Sequence, residues 1–155
     1  TKPEEVYRAL IEATGFGARV IIDRLDEYGV KADSIVACGG IAEKNSLLMQ
    51  IYADITGKQI NIAASKQTCA LGAAIFGAIA AGKEKSGFAD VRQAQEVLCR
   101  FKPISYKPDE KNHEIYNQIY HEYKKLHDSF GLESYQGNLY SVMKNLLKIK
   151  LHTTG

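Results

Sequence analysis

The chain has 155 residues, of which 45% are hydrophobic and 25% charged, and it carries a formal charge of +2. That length suits one domain with an ordinary core, and so small a net charge provides no field of the kind that carries nucleic-acid binding. The most apolar run, TCALGAAIFGAIAAG at residues 68–82, is too short to cross a bilayer, so neither nucleic acid nor a membrane is an expected partner.

The first residues, TKPEEVYRAL, lack a basic start followed by an apolar core, so no signal peptide is read in them and a cytoplasmic location is expected. Residues 3–28 read as a helix, with Pro3 in its first turn and Glu4 and Glu5 at the positive end of its dipole. Val6, Leu10, Ala13, Phe16, Val20, Ile21 and Leu25 recur at helical spacing, while TGFG at 14–17 marks either a kink or a close helix contact. Gly29 supplies a helix stop. SIVAC at 34–38 is then a short strand, apolar on both faces as if covered on both sides.

Two glycines follow, and Leu47, Leu48, Ile51, Tyr52 and Ile55 form the stripe of a second helix closed by Gly57. QINIA at 59–63 is the next strand, and a third helix runs from Thr68, its expected N-cap, to Ala81. Strands joined by a crossover helix lie parallel in one sheet, which makes the fold class α/β. Two strands are too few for an independent sheet, so the chain is expected to be an incomplete half whose other strands precede Thr1. Beyond Gly87, FADVRQAQEVLCRF predicts a short helix, KPISYKP an extended connection, 109–131 a long helix, and 138–151 a final amphipathic one.

Several residue types admit plain structural readings. Cys38, Cys69 and Cys99 stand about thirty residues apart with no CxxC pair, a spacing that predicts reduced, structural thiols. Asp54 reads as a solvated helix residue. Gly72, Ala73, Gly77 and Ala78 read as a close-packing helix face, and His113, His121 and His127 as surface histidines outside any i, i+4 ligand pair. Tyr116, Tyr120 and Tyr123 form a packing stripe, and Lys144, Lys148 and Lys150 a solvated face. No metal-ligating set is assigned.

Gly39 and Gly40 stand at the carboxyl end of a parallel strand, where open α/β sheets bind ligands, and without Cβ atoms they admit a flat group or phosphate to the backbone. Lys44 and Asn45 add a charge and an amide nearby. A strand followed by Gly-Gly is more often a plain tight turn, and the pattern is neither GxGxxG nor GxxxxGK[ST].

In order, VYRALIEATGFGARVIIDRL, GGIAEKNSLLMQIYADITG, QINIA, ALGAAIFGAIAAG and YKPDEKNHEIYNQIYHEYKKLHDSFG resemble the C-terminal domain of the FGGY family of carbohydrate kinases, over residues 1–130. The resemblance implies a ribonuclease H-like, actin-like ATPase fold and an ATP- and Mg²⁺-dependent kinase acting on a pentulose, other sugars of the family remaining open. It also implies that Gly39 and Gly40 lie against the adenosine and α-phosphate of ATP or ADP. Asn45 then lies near the adenine with Lys44 beside it, the choice between these two resting on a one-residue alignment shift. In the family, the sugar site and the catalytic aspartate belong to an N-terminal domain outside these residues. No catalytic residue is therefore assigned, and the chain alone is expected to be inactive. Residues 131–155 are expected to be a helical extension peculiar to its source. A noncatalytic α/β assembly module is the alternative, in which an open sheet edge drives self-association into a homo-oligomer.

Overall fold

The computed structural model describes residues 1–153. In place of the single compact unit expected from length, the chain forms two. A helical unit takes residues 1–32, 51–57 and those from 108 onward, and a sheet unit takes 33–50 and 58–107. In chain order the elements are α1 (Pro3–Glu27), β1 (Ser34–Ala37), α2 (Gly40–Lys44), α3 (Ser46–Thr56), β2 (Gln59–Ala63) and α4 (Thr68–Ala81). They continue as α5 (Lys83–Ser86), α6 (Val91–Leu98), β3 (Phe101–Tyr106), α7 (Glu110–Gly131) and α8 (Val142–Thr153).

In the sheet unit β1 and β2 pair in parallel from Ser34↔Gln59 to Ala37↔Ile62, as a crossover through a helix requires. The sequence reading of two strands is corrected by a third: the KPISYKP region forms β3, antiparallel to β2, in the order β1-β2-β3. Pro103 argues against a central strand, but β3 is an edge strand with an irregular register, where a missing N–H costs little. The central strand is the buried one, with Ile60 and Ile62 in the core beside Ala42, Met49, Ile75 and Ala94. β1 is the other edge, and contrary to expectation it is not covered on both sides, since Val36 is 51% exposed.

Three smaller expectations also change. Gln67 rather than Thr68 occupies the N-cap of α4, without a side-chain capping bond. A Cβ on Gly72 or Gly77 would meet nothing within 4 Å, so these glycines make no close helix contact among the described residues. The three cysteines are free as expected but, against the structural reading, exposed.

The helical unit is built on aromatic packing. Phe16 of α1 meets Tyr116, Tyr120 and Tyr123 of α7 at ring-centroid distances of 6.0, 6.0 and 5.3 Å, which confirms the tyrosine stripe as a packing surface. Their hydroxyls find partners at the edge of this cluster: Tyr116 donates to Glu12 at 2.8 Å and Tyr120 to Asp23 at 2.6 Å. Burial first, and then the Glu12 carboxylate, push the Tyr116 hydroxyl up to about 12. Arg19 stacks its guanidinium 4.1 Å from the Tyr120 ring centre and donates to the Ile55 carbonyl at 3.0 Å, tying α1 and α7 to the end of α3. TGFG does not interrupt α1; a Cβ on Gly15 would stand 2.7 Å from Ile55 Cδ1, so the glycine marks a close helix contact. α1 stops where expected, with Gly29 at φ +81° and bonds from Gly29 N to Asp26 O and from Val30 N to Leu25 O.

Asp54 is 3% exposed, contrary to the solvated reading. Its carboxylate accepts from Asp109 N at 2.9 Å and Asn112 Nδ2 at 3.2 Å, and its carbonyl accepts from His113 Nδ1 at 2.7 Å. The three bonds fasten the end of α3 to the start of α7. His113, read as a surface residue, is half-buried in this joint.

Farther along α7, Glu122 is buried and accepts from Lys125 at 2.9 Å and from Asn145 of α8 at 3.0 Å. Burial, the largest cause, raises its proton affinity, but the two hydrogen bonds together with the charges of Lys125 and His121 hold the carboxyl below its ordinary value. A group whose folded pKa is depressed stabilises above the unfolded pKa, and that contribution disappears as pH falls through the folded one. Glu122→Gln should therefore cost roughly 1–3 kcal/mol near neutrality, the scale of hydrogen bonds to a charged group, and progressively less in acid. Thermal midpoints of both proteins from pH 7 to pH 3 check this; a gap that stays constant with pH would refute it.

Candidate functional site

The parallel strands β1 and β2 end on the same side of the sheet, and the predicted site residues lie just beyond the first of them. Gly39 has φ +90° and ψ 174°, a conformation closed to most L residues, and it caps α2. Its exposed backbone turns the chain into a helix that begins at Gly40. Gly40 is not among the glycines with positive φ, so at that position the backbone tolerates a side chain. A Cβ at either glycine would meet nothing within 4 Å, leaving open space above the turn for a planar ring or a phosphate.

Before the helix predicted from the stripe at Leu47 the structure adds a short one, α2, and the two part at Asn45. Asn45 N closes α2 by donating to Ile41 O at 3.0 Å, and its φ of −121° and ψ of 84° leave the helix. Its Oδ1 then accepts from Leu48 N at 2.9 Å, capping α3. The amide proposed for ligand contact thus already has its carbonyl oxygen engaged, and its NH₂ group is what it offers a ligand. Lys44, one residue earlier, is exposed.

Two residues that motif spacing does not single out join the turn. Glu43 of α2 forms an ion pair with Lys102 of β3 at 2.8 Å. That contact and the nearby charges of Lys66 and Lys44 lower the Glu43 carboxyl, the Lys102 hydrogen bond being the largest cause. Lys66 follows β2 in an exposed turn where Gln67 N donates to Ser65 Oγ, and it and Lys44, at the end of α2, both lie within the field of Glu43. The only hint of Lys102 in the sequence is Pro103, whose place in a strand implies a bulge that re-aims a neighbouring side chain.

This arrangement can receive an anion carrying a flat group: open backbone at the glycines, an amide donor at Asn45, and ammonium groups at Lys44 and Lys66. The turn has room for such a group at its open face. Among the described residues no group of three or more His, Cys, Asp or Glu side chains is placed to hold a metal ion. Two cavities of about 650 and 630 Å³ belong to the helical unit, lined by residues such as Arg8, Glu114, Tyr116 and His152, and contain none of the predicted site residues. No described helix is long and apolar enough to cross a membrane.

Residues 1–81 match the C-terminal domain of the FGGY family of carbohydrate kinases. Ribulokinase from Geobacillus thermodenitrificans is 56% identical over 131 residues, 84% of this chain and 23% of that protein. Ribulokinase from Shouchella clausii is 46% identical over all 155 residues, covering 27% of its own length. Among solved structures, xylulose kinase from Rhodospirillum rubrum superposes with a TM-score of 0.68 at 23% identity, covering 84% of this chain and 25% of that one. The chain spans about a quarter of the length of the curated relatives it matches.

Proposed function

The chain belongs to the FGGY family of carbohydrate kinases, and from that premise we propose that it is the nucleotide-binding part of an ATP-dependent kinase that phosphorylates a pentulose, L-ribulose. The observation that carries this reading is the 56% identity to a protein named ribulokinase. The open glycine turn supplies its physical basis. In this proposal residues 1–130 form an actin-like, ribonuclease H-like domain, and 131–155 a helical extension of it. ATP arrives with Mg²⁺ on its phosphates, and the adenosine rests on Gly39 and Gly40 with Asn45 donating to the base. The sugar site and the catalytic base come from the part of the relatives' length that this chain does not span. Phosphoryl transfer depends on positioning and electrostatics, so the role left to these residues is to hold and orient the nucleotide. A cytoplasmic enzyme of sugar metabolism, with ATP, ADP and a sugar as its partners, completes the proposal.

The test is an isothermal titration of the chain with Mg·ADP. Gly40→Val should fold normally, because its Cβ meets open space and its φ is not positive, yet weaken binding at least roughly tenfold by filling the space above the turn. Asn45→Asp keeps the oxygen that caps α3 and removes the amide donor, so it should lose affinity without losing stability. Asn45→Ala should lose affinity and about 1 kcal/mol of stability together. No saturable binding by the unmodified chain, or equal binding by Gly40→Val, would overturn the assignment.

A further inference from the structure

The Glu43–Lys102 pair joins the glycine turn to the far edge of the sheet, and the fold has gone to some trouble to place it. Between the pairs Asn61↔Ser105 and Ala63↔Phe101, β3 carries Lys102, Pro103 and Ile104 against the single residue Ile62 of β2. Such a bulge bends its strand and re-aims the side chains in it. Lys102 reaches Glu43 at 2.8 Å, and with side-chain exposures of 30% and 18% the pair is partly shielded from solvent. Glu43 is also within the electrostatic reach of Lys44 and Lys66. A carboxylate so placed competes with any bound anion for these ammonium groups unless another cation holds it.

We infer that Lys102 is a positioning residue for the nucleotide site: by pairing with Glu43 it fixes α2 behind the Gly39–Gly40 turn and keeps Lys44 and Lys66 for the nucleotide's phosphates. The inference rests on the nucleotide reading above and adds a residue 63 positions from Gly39 to it. Two consequences follow. Loss of Lys102 releases Glu43 toward Lys44 and Lys66 and so harms an anionic ligand more than a neutral one. Removing the Glu43 charge as well takes away the competitor and restores binding.

Calorimetric titration of Lys102→Met and of Glu43→Gln/Lys102→Met with Mg·ADP and with adenosine, alongside thermal melts, tests both. Lys102→Met should weaken Mg·ADP roughly fivefold, the scale of a partly exposed charge pair, and adenosine much less. The double variant should return to within about twofold of the unmodified chain, a non-additivity that a merely structural tie would not produce. A double variant as weak as Lys102→Met, or equal losses for adenosine and ADP, overturns the inference while leaving the nucleotide site standing. If the unmodified chain shows no saturable Mg·ADP binding, the nucleotide reading itself fails and takes this inference with it.

Discussion

Asp54→Ala should destabilise the protein by roughly 2–4 kcal/mol, because it strands donors that a buried carboxylate now satisfies. Asp54 is 3% exposed, and its two oxygens receive Asp109 N and Asn112 Nδ2. Removing them opens a small void and leaves the first turn of α7 with its Asp109 cap alone, where Asp109 Oδ1 accepts from Asn112 N at 2.9 Å. Asp54→Asn should cost less, since one carbonyl oxygen still accepts. Urea unfolding of both variants measures the difference. An alanine variant within about 0.5 kcal/mol of the parent would mean that Asp54 is solvated after all, as an ordinary surface position would be.

Gly57→Val should be at least as damaging, at roughly 3 kcal/mol or more, from two independent causes. Gly57 ends α3 at φ +66°, a left-handed conformation that costs an L residue about 1–2 kcal/mol. Its missing Cβ would also lie 2.7 Å from Cε1 of His113. That ring cannot simply move, because His113 Nδ1 donates to the Asp54 carbonyl at 2.7 Å. The two causes separate in a double-mutant cycle: with His113→Ala present, Gly57→Val should retain only the backbone part of its cost. An unchanged cost in that background would show that the ring contact contributes nothing.

Both predictions concern residues whose surroundings were invisible in the linear chain. The periodicity of residues 3–28 and the glycine at 29 located α1 and its end almost to the residue, because helix stripes and left-handed stops are local features. The same holds for β2 and for α4, whose bounds match the pattern read from QINIA and from Thr68 to Ala81. Local reasoning failed at KPISYKP, where the prolines masked a strand that tolerates them only because it lies at an edge and carries a bulge. It failed again at residues 40–44, where the separate short helix α2 lies before the stripe that begins at Leu47.

The candidate site divides in the same way. Gly39, Gly40, Lys44 and Asn45 could be singled out as candidates because strand, turn and helix start are consecutive in the chain, and the family resemblance rests on that same run. Glu43 and Lys102 are 59 positions apart, and nothing in either neighbourhood announces the other. By itself, then, the sequence determined the long helices, β1 and β2 with their parallel pairing, the glycine turn and the family. Tertiary structure alone decided that Asp54 is buried, that Val36 is not, and that Lys102 reaches the turn. The reason is physical: backbone conformation answers to neighbours a few residues away, whereas burial and charge pairing answer to whichever distant segment the fold brings alongside.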